Sequence, residues 1–216
     1  MPAEALTIVG HRSHPVPGAL IRAPEKSRHL AVLFPGFGYR NTMPLLYYSR
    51  ALLLARGADV LTVDYAYDTL PAFLEAQNEE KLAWIRSDAS AVFDAVEALD
   101  RYERLTIIGK SAGTAAMALT VPGRAELASA DLVWLTPGFN TPGMPEGMAQ
   151  CRQRSIVFIG TADPHYKETH LAAARSRGAE VAVFEGLDHG LEKSGDIHGS
   201  ITAMVHIMKR LDEWIG

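Results

Sequence analysis

Leu105-Thr106-Ile107-Ile108-Gly109-Lys110-Ser111-Ala112-Gly113-Thr114-Ala115-Ala116-Met117-Ala118-Leu119 passes from an apolar run into a run of small residues, with Gly-Lys-Ser-Ala-Gly between them. A short apolar stretch without alternation reads as a strand buried on both faces. The small-residue run reads as a helix packed close against it. The pentapeptide between is G-x-S-x-G, so the segment reads as strand, sharp turn and helix, with Ser111 at the apex. The backbone at such an apex crowds the residues two positions away, and both are glycine here. The helix that follows aims unpaired amides at the serine. Ser111 is therefore the candidate nucleophile.

The same pentapeptide also fits a serine that merely caps a helix, with glycines serving the packing. A phosphate-binding loop fits less well. It requires a further glycine at position 104, which is Arg104, and the interval is the apolar strand itself.

Outward from this segment, apolar runs of strand length lie at 30–34, 60–64, 105–108, 132–136, 156–160 and 181–184. Two earlier segments, 6–9 and 19–22, read as an antiparallel edge. Helical patterns fill the gaps. Thr42 is placed to cap a helix with Pro44 in its first turn, running to about Arg56 and stopped by Gly57. An apolar stripe at helical spacing runs from Leu82 to Leu99, a shorter helix from Glu168 to Arg177, ended by Gly178, and a last stripe from Ile201 to Ile215. Both long stripes are read as core packing. Strand and helix in alternation predict right-handed βαβ units and an α/β fold: a doubly wound, mostly parallel sheet flanked by helices.

A length of 216 residues suits a single domain, 1–216, with a full core. The net charge of −4, without a basic cluster, argues against nucleic acid or an anionic membrane as the main partner. One cysteine, Cys151, excludes an internal disulfide and suits a reducing compartment. The N-terminus lacks a basic start followed by an apolar stretch, and no apolar run approaches the roughly 20 residues of a membrane span. The expected location is cytoplasmic and the expected partner a small-molecule substrate.

A serine hydroxyl becomes a nucleophile when a base takes its proton, and the base is usually a histidine oriented by a carboxylate. Open α/β sheets build their sites beyond the C-terminal ends of their strands. Asp163 follows the run 156–160, and His189 follows the run 181–184. Ser111, Asp163 and His189 thus share one sheet edge, in that chain order. Asp163 before Pro164 is also an ordinary turn residue, and His189 in a Gly-rich loop an ordinary surface one. Among the other histidines none directly follows a late strand, and His165 lies too near Asp163. Asp188 is the rival acid, but adjacent residues in an extended segment point apart. An oxyanion site needs two amides. Ala112 supplies one, and Phe37, in the turn Pro35-Gly36-Phe37-Gly38-Tyr39, supplies the other.

These motifs resemble the α/β-hydrolase superfamily over nearly the whole chain. Pro35-Gly36-Phe37-Gly38 is similar to that family's His-Gly-x-Gly turn, with proline in place of histidine. Only 137–154 separates two strands where larger members insert a cap, so the resemblance implies a capless, open site. Tyr39, Tyr65, Phe139 and Met144 are the expected substrate contacts, each equally readable as a rim residue. Lys110 before the serine departs from the usual pattern. Pairing with an acid near the site and contact with an anionic substrate both fit it, and solvent is its expected surrounding. The resemblance implies hydrolysis of an ester or thioester through an acyl-enzyme, with no metal or organic cofactor. A non-catalytic binding protein, or amide hydrolysis, acyl transfer or C–C cleavage at the same site, are the alternatives on this fold.

Overall fold

The computed structural model describes residues 3–99 and 102–216. Eight strands form one sheet: β1 (Ala3–Val9), β2 (Pro15–Ile21), β3 (His29–Phe34), β4 (Asp59–Val63), β5 (Arg104–Lys110), β6 (Asp131–Leu135), β7 (Ser155–Gly160) and β8 (Glu180–Phe184). Their order across the sheet is β1-β2-β4-β3-β5-β6-β7-β8. The hairpin β1–β2 is antiparallel and joins β4 antiparallel, and the other pairs are parallel. The expected antiparallel edge is thus present, with both strands longer than the apolar segments that announce it.

Among the described residues seven α-helices cover the faces: α1 (Pro44–Ala55), α2 (Pro71–Glu75), α3 (Asn78–Glu97), α4 (Ala112–Thr120), α5 (Met144–Gln150), α6 (Glu168–Ser176) and α7 (Ile197–Ile215). The strand alternation sorts the core into two layers. Leu30, Val32 and Phe34 of β3 face α3–α6, meeting Trp84, Val92, Phe93, Met117 and Leu171. Ala31 and Leu33 face α1 and α7, meeting Leu45, Leu46, Leu53, Ile207, Leu211 and Trp214. Both faces are covered, which is why the central strands are uninterrupted apolar runs.

Several boundaries differ from the reading of the sequence. The cap expected at Thr42 falls on Met43, which is extended and makes no side-chain cap bond, while Pro44 opens α1. Helix α7 begins at Ile197, because Asp196 accepts a 2.8 Å bond from the Gly199 amide and starts the helix before the apolar stripe does. Helix α2, one turn opened by Pro71, has no apolar periodicity to announce it. No helix among the described residues is long and apolar enough to cross a membrane.

The register brings the strand ends level. Phe34 pairs with Gly109, Lys110 with Leu135, and Gly160 with Phe184. The turns after β3, β5, β7 and β8 therefore assemble along one edge. Between β6 and β7 only the small helix α5 intervenes, and no cap domain is present among the described residues.

Candidate active site

Ser111 has φ 52° and ψ −112°, a conformation L-residues rarely adopt. Neighbouring glycines make it possible. A Cβ on Gly109 would stand 2.7 Å from the Gly113 carbonyl carbon, and one on Gly113 would stand 2.2 Å from the Phe34 carbonyl oxygen. Helix α4 therefore meets β5 at Gly109 and β3 at Gly113, each at a distance that admits no side chain. The turn is braced by the Ser111 amide donating to Leu135 O at 3.0 Å and the Thr114 amide donating to Ser111 O at 2.8 Å.

Asp163 sits just past β7 and His189 just past β8, and a third glycine lets their loops meet. A Cβ on Gly160 would lie 2.0 Å from Leu187 O, so the backbone after β8 folds directly over the end of β7. There the Ala162 amide donates to Leu187 O at 3.0 Å. The result is a chain of contacts. His189 Nε2 lies 2.8 Å from Ser111 Oγ, and His189 Nδ1 lies 2.8 Å from Asp163 Oδ2. The other carboxylate oxygen of Asp163 accepts from the His165 amide at 2.8 Å. Burial pushes this carboxyl up, but the hydrogen bonds from His189 and the His165 amide outweigh it and hold it below its ordinary 3.8. The rival acid Asp188 turns away, its Oδ1 accepting from the amides of Gly190 and Glu192 and shaping the loop that carries His189.

The turn after β3 stands beside the serine. A Cβ on Gly36 would be 3.3 Å from Ser111 Cβ. Gly36 and Tyr39 close the turn by exchanging backbone bonds of 3.1 and 3.3 Å, with Gly38 at φ 68°. Those two bonds leave the Phe37 amide out. Ala112 is the first residue of α4, where amides have no acceptor within the helix.

Other solved structures share this arrangement of elements. The structure is similar to Est1E from Butyrivibrio proteoclasticus, with a TM-score of 0.72 at 14% identity over 98% of each chain. It is similar to the esterase Pf2001 of Pyrococcus furiosus, with a TM-score of 0.74 at 13% identity, covering 99% of this chain and 91% of that one. A Xanthomonas campestris protein described as an α/β serine hydrolase without lid matches with a TM-score of 0.69 at 14% identity, covering 100% of this chain and 95% of that one. No family model matches the chain, and no curated protein does.

The chain has the α/β-hydrolase fold.

Within this α/β-hydrolase fold the expected substrate contacts mostly turn inward, which corrects the reading of the sequence. Tyr65 is buried and stacks on Phe34 and Tyr67 with ring centroids 6.1 and 4.6 Å apart. Met144 is wholly buried among the residues packed on α4, and Phe139 is buried against the His170 ring at 4.8 Å. Tyr39 is half-buried, and its hydroxyl accepts from the Leu45 amide at 3.0 Å. The side chains that stand open near the serine are others. Phe37 is 54% exposed, and the His165 ring lies 5.0 Å from that of His189. His165 lies only two residues from Asp163, and that spacing is what lets its amide reach the carboxylate.

Lys110 is the second correction. It is not solvated but 1% exposed, and its Nζ donates to the backbone oxygen of His189 at 2.9 Å. Asp163, His165 and His189 bring potential metal-ligand atoms within 4.8 Å of one another. The contacts of His189 with Asp163 and Ser111 already engage both of its ring nitrogens, so the cluster is accounted for without an ion.

Proposed function

We propose that the protein is a serine hydrolase that cleaves an ester or thioester of a small substrate. The carrying observation is the pair of 2.8 Å contacts that link Ser111 to His189 and His189 to Asp163. Ser111 Oγ attacks the acyl carbonyl carbon while His189 Nε2 takes its proton. Asp163, ionised and buried, fixes the ring with Nδ1 protonated and stabilises the imidazolium that forms. The Phe37 and Ala112 amides donate to the tetrahedral oxyanion. As the tetrahedral centre collapses, the bond to the leaving group breaks and His189 hands that group its proton. Water then repeats the sequence on the acyl-enzyme, releasing the acid and restoring the serine.

Two neighbours support an acyl substrate: Est1E is seen with ferulic acid bound, and the P. furiosus protein is named an esterase. The short 136–154 connection leaves the serine without a cap, which favours substrates that need no enclosure. The test is labelling by a fluorophosphonate together with turnover of short p-nitrophenyl esters. The expected result is that wild type does both and Ser111→Ala does neither. Labelling that persists in Ser111→Ala would falsify the assignment.

A further inference from the structure

A lysine with 1% of its surface exposed is unusual, since burial disfavours the ammonium. Here burial brings Lys110 down to about 8, against the opposing pull of Asp163 and Asp188. A methionine would fill the same space without that penalty. The position of the side chain says what the charge is for. Along β5, Ile108 and Lys110 point to the same face, the one covered by α1 and α7, whereas Ile107 points to the other. Lys110 thus rises at the end of a central strand directly under the loop after β8. Its hydrogen-bond acceptor is the backbone oxygen of His189 itself, at 2.9 Å. The face of the Tyr39 ring, in the turn after β3, lies 4.9 Å from Nζ.

We propose that Lys110 is a positioning residue: its ammonium straps the His189 loop to the strand that carries Ser111, and so fixes the imidazole over the hydroxyl. This rests on the acyl-transfer reading of the site. One residue is covalently next to the nucleophile and hydrogen-bonded to the base, so it sets the distance between them. Other loop bonds, among them those through Asp188 Oδ1 and through Leu187 O to Ala162, tie the loop to itself and to the turn after β7. The strap adds the link to β5. A hydrogen bond from a charged donor is about twice as strong as a neutral one, so the strap weakens when the ammonium loses its proton. The charged and titratable groups facing it are Tyr39 from the turn after β3, Asp163 and His165 from the loop after β7, and Asp188 and His189 from the loop after β8.

The test compares wild type, Lys110→Met and Ser111→Ala, using p-nitrophenyl acetate from about pH 6 to about pH 10, with fluorophosphonate labelling of all three. Lys110→Met is expected to fold and melt cooperatively and to label more slowly. Its kcat should fall about 10- to 100-fold, because small displacements of a general base are expensive in rate, with KM held within about twofold. Wild-type kcat should decline above about pH 8 along a one-proton curve, and the Lys110→Met profile should stay level there. If the variant does not fold, a wild-type profile that stays level above about pH 8 still counts against the proposal. The proposal is overturned if folded Lys110→Met keeps wild-type kcat, or melts lower with an unchanged pH profile, or if wild type shows no alkaline decline. Labelling of Ser111→Ala marks the separate failure of the nucleophile itself.

Discussion

Gly113 leans on Phe34: a Cβ at 113 would stand 2.2 Å from the carbonyl oxygen at the end of β3. The first turn of α4 is thereby pressed against the strand whose next residues form the Phe37 turn. Gly113→Ala must push these two backbones apart, which should destabilise the protein by about 1–3 kcal/mol. It should also lower turnover, because Ala112 and Phe37 move relative to each other. Gly123 makes the control. A Cβ there meets nothing within 4 Å, so Gly123→Ala should leave both the melting temperature and the rate unchanged. Thermal melts and ester hydrolysis on the two variants check this. Equal behaviour of both would show that the close approach at 113 is unimportant.

Asp163→Asn preserves the shape of the carboxylate and removes its charge. The expected loss in kcat is on the order of 10³- to 10⁴-fold, because an amide can hold the wrong histidine tautomer and stabilises no imidazolium. Stability reports on the same group. Hydrogen bonds from His189 and the His165 amide hold this carboxyl below 3.8 in the folded protein. Its contribution is therefore fully present above the unfolded value and is lost as pH falls through the lower, folded one. Urea midpoints measured from about pH 5 downward should drop less steeply for Asp163→Asn than for wild type. Parallel curves would remove the carboxylate from the acid response.

The elbow and the order of the three side chains were legible because each depends on local chemistry. Glycines flank a strained serine, and an acid and then a histidine lie in the turns after the last two strands. The inward turn of Tyr65, Met144 and Phe139 was not legible. An aromatic or methionine at the end of a strand has the same neighbours in sequence whether it faces the core or the rim. Lys110 was misread for a different reason. Charge ordinarily signals solvent, and only the fold of a loop 79 residues away, carrying the acceptor oxygen of His189, overrides that rule. Helix α2 went unseen because one turn is too short to show a period.

Tyr65→Phe separates a substrate contact from a core residue. The Tyr65 hydroxyl is buried and has no hydrogen-bond partner among the described residues, and the ring is sandwiched by Phe34 and Tyr67. Removing an unpaired buried hydroxyl while keeping the ring should leave stability unchanged or raise it by about 1 kcal/mol. Ester turnover should match wild type in both kcat and KM. A rise in KM with an intact melt would return Tyr65 to the substrate site.

His29 gives a second pH window, distinct from that of Asp163. It begins β3 with Nε2 2.9 Å from Thr106 Oγ1 on β5. Burial and the charge of Arg104 bring it down from 6.5 to about 4, with Asp131 opposing. Between these values the unfolded chain binds a proton that the folded protein refuses. Stability should therefore fall as pH drops from 6.5 toward about 4, and this group should add no further loss below that. His29→Gln retains a side chain able to bond Thr106 and does not titrate. Its urea midpoint should change less than that of wild type between about pH 7 and about pH 5, while ester turnover at neutral pH stays the same. An identical shift in both proteins would mean that His29 is not what couples folding to protons in this range.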